Sequence, residues 1–207
     1  MPPTYGTLII QFAKVPLLGK VKTRLAKSLG DSDALTIHIR LARLTRQSIV
    51  SASHSLGADS ELWLSEAFSA PQTQKFISDS FVKVYVQLGE DLGTRMGQAL
   101  THTLSRYQKV LLVGSDCPYF NDRYFAEAQN ALASHDLVLG PAVDGGYVLI
   151  GCRVFNAKVF DGVEWGGPNV MAQTLENAGR LGLSYKLLAT LSDIDDIDDY
   201  DAWRRNL

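Results

Sequence analysis

Four cationic side chains lie in one short segment directly after the first apolar run of the chain. The sequence FAKVPLLGKVKTRL follows the apolar residues Leu8 to Ile10. Its cations are Lys14, Lys20, Lys22 and Arg24. Pro16 and Gly19 lie among them and indicate a loop of defined shape. Clustered cations favour an anionic partner, and a phosphate-bearing ligand is the simplest one. The alternative is a solvated basic loop.

A carboxylate follows a later apolar run. Asp116 ends the sequence VLLVGSD, with Ser115 before it and Pro118 fixing the turn after it. Magnesium is usually held by one or two carboxylates together with phosphate oxygens and water. Asp116 opposite the cationic loop therefore predicts a ligand of a divalent metal, and Ser115 a neighbouring substrate contact. The alternative role for Asp116 is to cap the next turn or helix.

Asp144, Gly145 and Gly146 place another carboxylate beside two glycines, in the sequence GPAVDGGY. Glycines let a backbone approach a ligand closely, which predicts contact between this segment and a substrate. A tight turn between two strands explains the same residues equally well.

Glu90, Asp91 and Arg95 form a mixed-charge group just before a predicted helix. They could contact ribose, base or acceptor hydroxyls of a substrate. The alternative is that the carboxylates only stabilise the helix start through its dipole.

The tail SDIDDIDDYDAW is rich in aspartate. It does not fit a calcium-binding EF-hand, which needs glycine at the sixth position and glutamate at the twelfth, where this chain has Asp198 and Arg204. We expect most of these carboxylates to cap and solvate the last helix. One of them, Asp193 or Asp195, could reach the metal.

The elements that must position these residues alternate between strand and helix. Strands are predicted at 7–13, 61–64, 81–88, 109–113, 137–139, 147–150 and 185–188, and helices at 33–54, 70–80, 94–106, 123–134, 169–181 and 198–205. Asp31 or Ser32 could cap the first of these helices. Apolar strands alternating with helices predict an α/β fold whose mostly parallel sheet is covered on both faces. In such sheets ligands bind at the carboxyl ends of the strands, where the candidate segments fall.

Composition limits the classes of function. The chain has 207 residues, which suits one domain spanning 1–207, and it is 46% hydrophobic with a formal net charge of −2. This charge argues against a dedicated nucleic-acid binder.

No apolar stretch has the length of a membrane span, Cys117 and Cys152 lack metal-ligand spacing, and no secretion signal is evident, so we expect a cytoplasmic protein. The chain lacks the Walker A, GxGxxG and GxSxG motifs.

Taken in order, the segments FAKVPLLGKVKTRL, GEDLGTRM, GSDCP, GPAVDGGYVLIG, a Trp-containing segment and DIDDIDDY resemble one family. This is the radical-SAM/selenodomain-associated transferase 1 family, whose members are assigned to the GT-A-like nucleotide-diphospho-sugar transferase fold. The resemblance runs from about Leu8 to Trp203. It implies a single-domain, three-layer GT-A-like sandwich. The layout is more distantly similar to the guanylyltransferase of coenzyme F420 synthesis and to the molybdenum-cofactor nucleotidyltransferases.

These resemblances imply roles for particular residues. Lys14, Lys22 and Arg24 would hold phosphates, Asp116 would bind Mg²⁺ or Mn²⁺, and Asp144 to Gly146 would face the donor or acceptor. The chain departs from the families in its tail, DIDDIDDY where DIDTPEDL is usual, and at Gly166, where a serine is usual after the tryptophan. Trp165 could stack on a sugar or base, or belong to the core.

The first functional hypothesis is a glycosyltransferase that uses a nucleoside-diphosphate sugar and a small-molecule acceptor. Asp116, with Asp193 as a second ligand, would hold the metal, Lys22 and Arg24 would stabilise the leaving diphosphate, and Asp144 would be the base. The runner-up is a nucleotidyltransferase that uses a nucleoside triphosphate and a phosphorylated acceptor and releases pyrophosphate. A non-catalytic nucleotide-binding protein is the alternative from another class. The oligomeric state is left open.

Overall fold

A computed structural model describes residues 5–67, 76 and 83–206 of the chain. Within these residues, strands and helices alternate along most of the sequence. The strands are β1 (Tyr5–Ala13), β2 (Asp59–Leu64), β3 (Lys83–Val86), β4 (Tyr107–Val113), β5 (Leu137–Pro141), β6 (Tyr147–Cys152) and β7 (Tyr185–Leu187). The α-helices are α1 (Thr23–Leu29), α2 (Asp31–Leu56), α3 (Leu92–Leu104), α4 (Asp122–Ala131), α5 (Val170–Arg180) and α6 (Ile197–Arg204). A short 3₁₀ helix spans Ala157–Phe160.

The described strands form one mixed sheet in the order β3-β2-β1-β4-β6-β5-β7. Neighbouring strands run parallel except around β6, which is antiparallel to both β4 and β5. The prediction of a mostly parallel α/β sheet is therefore confirmed. Because β1 and β4 are adjacent and parallel, the segments that follow them leave the sheet side by side at the same edge.

Helices cover both faces of the sheet, which gives three layers. Side chains of a strand point alternately to the two faces. Leu8 and Ile10 accordingly pack in the cluster that contains Met96 of α3, whereas Ile9 packs with Phe125 of α4 on the other face. Burial on both faces explains why the central strands are almost wholly apolar.

Most predicted elements are present, with ends shifted by a few residues. Two details of the sequence interpretation were wrong. The segment predicted as a continuous basic loop contains helix α1, so Arg24 is helical. Helix α2 begins at Asp31 with Gly30 as its N-cap, so neither Asp31 nor Ser32 caps it. The reason is that Gly30, at φ 84° and ψ 162°, joins α1 directly to α2 without an intervening loop.

Part of one region falls outside the described residues. This applies to the predicted helix at 70–80, apart from position 76, and to the first two positions of the predicted strand at 81–88. Among the helices of the described residues, none combines the length and the apolar character that crossing a membrane requires.

Candidate active site

Lys22 lies between two carboxylates that come from distant parts of the chain. Its Nζ is 2.9 Å from Oδ2 of Asp116 and 2.9 Å from Oδ1 of Asp195. The Lys22 side chain is only 4% exposed. Burial by itself would lower the pKa of Lys22, but the charges and hydrogen bonds of Asp116 and Asp195 outweigh it and raise the pKa. Lys22 is therefore a fixed positive charge that holds the loop after β4 and the aspartate-rich tail together.

The backbone of Lys22 is also unusual. Its φ of 47° and ψ of 46° place it in the left-handed region, the one non-glycine residue with positive φ in the described part of the chain. Such a conformation is strained for a residue with a side chain and persists only when its surroundings enforce it. The two ion pairs of the side chain supply that constraint.

A group of carboxylates lies beside this lysine. One oxygen from each of Asp144, Asp193 and Asp195 lies within 4.8 Å of the others. Burial, followed by the charges of Asp195 and Asp144, raises the pKa of Asp193 to about 6. Three carboxylates at this spacing repel one another, and a divalent cation between them would neutralise that charge.

Asp116 is connected to the same group. Its backbone oxygen accepts a hydrogen bond from the amide of Ile194 at 3.0 Å, so it lies directly beside the tail. Its Oδ1 is buried and has no hydrogen-bond partner among the described residues. Its Oδ2 shares the Lys22 ammonium with Asp195, a member of the carboxylate group, and carboxylate oxygens are the ligands that Mg²⁺ and Mn²⁺ prefer. The donor set therefore fits a divalent metal.

A cavity of about 560 Å³ opens onto these residues. Its walls bring Arg95 of α3 together with Lys14, Lys22 and Arg24 of the segment after β1. Asp116 and Asp195 line it too, as do Glu90, Asp91 and Ser115. The Arg24 side chain is 66% exposed, and its Nη1 is 3.8 Å from Asp195. We call this space the cationic cavity.

Ser115 is held by a buried polar network below the cationic cavity. Its hydroxyl donates to the carbonyl of Phe12 at 2.8 Å and accepts from the Gln11 amide at 3.0 Å. Arg46 of α2 in turn donates from Nε to Oε1 of Gln11 at 2.5 Å. The network joins α2, β1 and the loop after β4, so Ser115 positions the loop that contains Asp116.

His38 of α2 also lines the cationic cavity. Its Nε2 is 3.0 Å from the backbone oxygen of Lys14, and since a carbonyl only accepts, Nε2 donates. Burial lowers the pKa of His38 despite the nearby charge of Asp116. No sequence motif marks His38, Gln11 or Arg46, because their role depends on the packing of α2 beneath the sheet edge.

Asp91 has the capping role that the sequence left open. It is the N-cap of α3, and its carboxylate accepts hydrogen bonds from the Thr94 amide and hydroxyl, both at 2.8 Å. These bonds hold the pKa of Asp91 below its usual range. Arg95 donates from Nε to the Gly89 oxygen at 2.9 Å, which fixes the loop before the helix.

The Asp144-Gly145-Gly146 segment is a turn and part of the site at once. The Gly146 amide donates to Oδ1 of Asp144 at 2.9 Å. Gly145 has φ of 93°, and a Cβ there would lie 2.0 Å from the Pro168 oxygen, so only glycine fits. The turn thereby fixes Asp144 next to Asp193.

Trp165 packs against the start of α3 and borders a second cavity, of about 220 Å³, that also contains Asp144, Gly146 and Asp193. Tyr147 and Phe160 meet its ring edge-to-face, with centroids 6.5 and 5.5 Å away. A Cβ on Gly93 would lie 2.7 Å from the indole. Trp165 is thus a packed residue that still lines a cavity.

Three predicted binding residues lie away from these cavities. Pro16 is buried and Lys20 is exposed, and neither lines the cationic cavity. Gly19 has φ of 72° and faces Asp31 of α2, where a Cβ would be 3.4 Å from the carboxylate. The Lys20 amide donates to the Leu17 oxygen at 3.0 Å. These residues shape the loop that presents Lys14 and Lys22.

Known proteins share the sequence or the fold of this chain. A family model described as "Uncharacterized protein conserved in bacteria (DUF2064)" matches residues 48–167. No curated protein matches the chain. A solved structure of a proposed nucleotide-diphospho-sugar transferase from Desulfovibrio desulfuricans G20 is 32% identical, with a TM-score of 0.88, and the match covers 98% of this chain and 88% of that one.

Two more distant structures share the fold. A nucleotidyl transferase from Methanothermobacter is 12% identical, with a TM-score of 0.63 over 98% of this chain and 97% of that one. Glucosyl-3-phosphoglycerate synthase from Mycobacterium tuberculosis, solved with Mn²⁺, uridine diphosphate and phosphoglyceric acid, is 11% identical, with a TM-score of 0.55 over 96% and 74%. At these identities the likeness shows the fold alone. The Desulfovibrio structure, which matches over nearly the whole chain, confirms the predicted GT-A-like architecture.

Proposed function

The chain belongs to the DUF2064 family, and from that premise we propose that this transferase moves a sugar from a nucleoside-diphosphate sugar to a hydroxyl of a small acceptor. The name of the Desulfovibrio relative supports the donor class. Within the family, we assign the chain to the radical-SAM/selenodomain-associated group, because it has both the AKVPLLGKVKTRL and the GPAVDGGYVLIG sequences.

One observation carries the proposal: the cationic cavity and the carboxylate group meet at Lys22. A diphosphate needs fixed positive charge, and Lys14, Arg24 and Arg95 line the space beside the carboxylates. Lys22 is already paired with Asp116 and Asp195, so we assign it the role of orienting those carboxylates. Lys14 and Arg24, which are exposed, are better placed to contact the phosphates.

Asp116, Asp193 and Asp195 are the residues that would hold a divalent metal. When bound, Mg²⁺ or Mn²⁺ would neutralise the charge of the diphosphate. The relative from M. tuberculosis, which was solved with Mn²⁺ and uridine diphosphate, supports this cofactor class. Lys22 would keep two of these carboxylates in place before the substrate arrives.

The transfer step requires one bond to form and one to break. The acceptor oxygen bonds to the anomeric carbon of the sugar, and the bond from that carbon to the diphosphate breaks with its electron pair on the leaving nucleoside diphosphate. Asp144, fixed by the Gly146 amide, would accept the proton of the attacking hydroxyl. Arg24 and Lys14 would stabilise the charge that develops on the departing oxygen.

Nucleotidyl transfer is the second candidate. The cationic cavity suits a triphosphate as well as a diphosphate, and the Methanothermobacter nucleotidyl transferase shares the fold. In that reaction a phosphorylated acceptor attacks the α-phosphate, and pyrophosphate leaves. The two reactions differ in their products, nucleoside diphosphate in one and pyrophosphate in the other.

A thermal-shift screen tests the proposal. Nucleoside diphosphates, nucleoside triphosphates and nucleotide sugars are each added with and without Mg²⁺ or Mn²⁺. A ligand at about 100 times its Kd stabilises a protein by ~2.7 kcal/mol, which is a readily measured shift. We expect a metal-dependent shift with a nucleotide sugar, which Asp116→Asn removes and Asp33→Asn, at an exposed position of α2, retains.

The released nucleotide is then identified by chromatography. Free nucleoside diphosphate supports glycosyl transfer. Pyrophosphate from a triphosphate supports the second candidate. Absence of a shift with every compound contradicts both.

A further inference from the structure

A large groove lies on the side of the sheet opposite helix α4. It has a volume of about 920 Å³, within the usual range of ligand sites. One wall is helix α3, and the other is the segment that runs from the 3₁₀ helix to Trp165. Apart from Asp91 and Thr94, which form the N-cap of α3, none of the polar side chains of this groove belongs to the site described so far.

The groove presents neutral hydrogen-bonding groups beside aromatic rings. Thr94, Gln98 and Thr101 are exposed and lie at spacings of four and three residues, which places them on one face of α3. The Thr94 hydroxyl already donates to Asp91, so towards a ligand it can only accept, whereas the Gln98 amide can both donate and accept. Phe160 and Trp165 line the groove beside them, 5.5 Å apart between ring centroids. Hydroxyl and amide groups next to aromatic carbon complement a polyhydroxylated molecule, which has polar edges and apolar C–H faces.

The groove is unsuited to an anion. Among the described residues that line it there is no lysine or arginine and one histidine, His102, whereas two aspartates, Asp91 and Asp161, contribute negative charge. The start of α3 would otherwise attract a phosphate through its free amides. The Asp91 carboxylate already accepts from the Thr94 amide at 2.8 Å, so that position is taken by a negative charge.

The groove adjoins both parts of the candidate active site. Asp91 lines the groove and the cationic cavity. Trp165 lines the groove and the 220 Å³ cavity that contains Asp144 and Asp193. The groove therefore shares a wall residue with each cavity, which places a molecule bound against α3 beside the candidate active site.

We propose that this groove binds the acceptor and that the acceptor is an uncharged polyhydroxylated molecule, not a phosphorylated one. That the bound molecule is the acceptor rests on the proposed function. That it is uncharged and polyhydroxylated follows from the groove alone. It also favours glycosyl transfer over nucleotidyl transfer, because the latter needs a phosphorylated acceptor.

Ligand-observed saturation-transfer NMR tests the proposal without requiring turnover. The neutral probes are glucose, N-acetylglucosamine, myo-inositol and glycerol, and the anionic probes are glucose 6-phosphate and glycerol 3-phosphate. Each is measured with the unmodified protein, with Gln98→Trp, which fills the groove, and with Gln47→Trp. Gln47 is exposed on α2, across the sheet from the groove, so it is the matched control. Thermal unfolding verifies that each variant is folded.

We expect signals from at least one neutral probe, reduced at least about tenfold by Gln98→Trp and retained in Gln47→Trp, as for a filled site. A second variant, Gln98→Lys, should let glucose 6-phosphate bind, because it adds the missing cation. Stronger signals from the anionic probes in the unmodified protein, persistence of the neutral signal in Gln98→Trp, or no signal from any neutral probe would each overturn the proposal. Nucleotide-sugar binding, measured separately by thermal shift, reports whether the proposed function itself holds.

Discussion

The Nζ of Lys22 lies 2.9 Å from Oδ2 of Asp116, which joins the segment after β1 to the loop after β4. The same nitrogen is 2.9 Å from Asp195 in the tail. A single buried lysine thus ties together three parts of the chain, and the two carboxylates it holds are among the three that we assign to the metal.

Lys22→Gln should destabilise the protein by about 2–3 kcal/mol, because Asp116 and Asp195 would then face each other without a cation. Because the pKa of Lys22 is raised in the folded protein, this stabilisation is fully present at pH values below its ordinary pKa of 10.5. It is lost only as the pH rises through the higher pKa of the folded state. Urea unfolding at neutral pH measures the loss. Lys27→Gln, an exposed lysine in the last turn of α1, is the control, and an equal loss there would contradict the assigned role.

Asp193→Asn should stabilise the metal-free protein at neutral pH while weakening Mn²⁺ binding. The folded pKa of Asp193 is raised from 3.8 to about 6, so its ionisation opposes folding increasingly as pH rises between these values, and the cost is constant above them. We expect the free energy of unfolding of Asp193→Asn to exceed that of the unmodified protein by about 1–2 kcal/mol near pH 7.5, after allowance for solvent screening. Near pH 3.5 the two should be equal. Denaturant unfolding at both pH values, with EDTA present, measures it. A gain of equal size at both would show that charge repulsion is not the cause.

Gly93→Ala should destabilise the protein by about 1–3 kcal/mol, because the added Cβ would lie 2.7 Å from the Trp165 indole. Gly97→Ala, one turn further along α3, is the matched control. Its Cβ would be 3.8 Å from Phe160, so the better helix propensity of alanine should stabilise by up to about 1 kcal/mol. Unfolding followed by tryptophan fluorescence distinguishes the two, and the same effect at both positions would refute the packing argument.

Gln11 and Arg46 should be energetically coupled. Gln11→Leu leaves the Arg46 guanidinium buried without its acceptor, and Arg46→Met leaves Oε1 of Gln11 without its donor. Each single change should lower the free energy of unfolding by about 2 kcal/mol. The double variant should lose about 1 kcal/mol less than the sum of the two single losses. A double-mutant cycle by chemical denaturation measures this coupling. Strict additivity would mean that the hydrogen bond contributes no stability.

The order of strands and helices could be predicted from the sequence because its signals are local. Apolar runs such as VLLV at 110–113 can only be buried, and strands buried on both faces require helices above and below. The convergence of the segments after β1, β3 and β4 followed from the same reasoning, since parallel strands end at one edge. Helix α1 was missed because it is only seven residues long, and the lysines before it, together with its own Arg24, favoured a loop.

The sequence by itself determined the residue types available for chemistry: cations after the first strand, carboxylates after the fourth and in the tail. It could not determine which of them pair, because pairing depends on distances between segments far apart in the chain. Only the tertiary structure assigned Lys22 to Asp116 and Asp195, made Asp91 a helix cap, and grouped Asp144 with Asp193. These pairings follow from burial and packing, because packing determines which side chains come within bonding distance and which charges remain without a counter-charge.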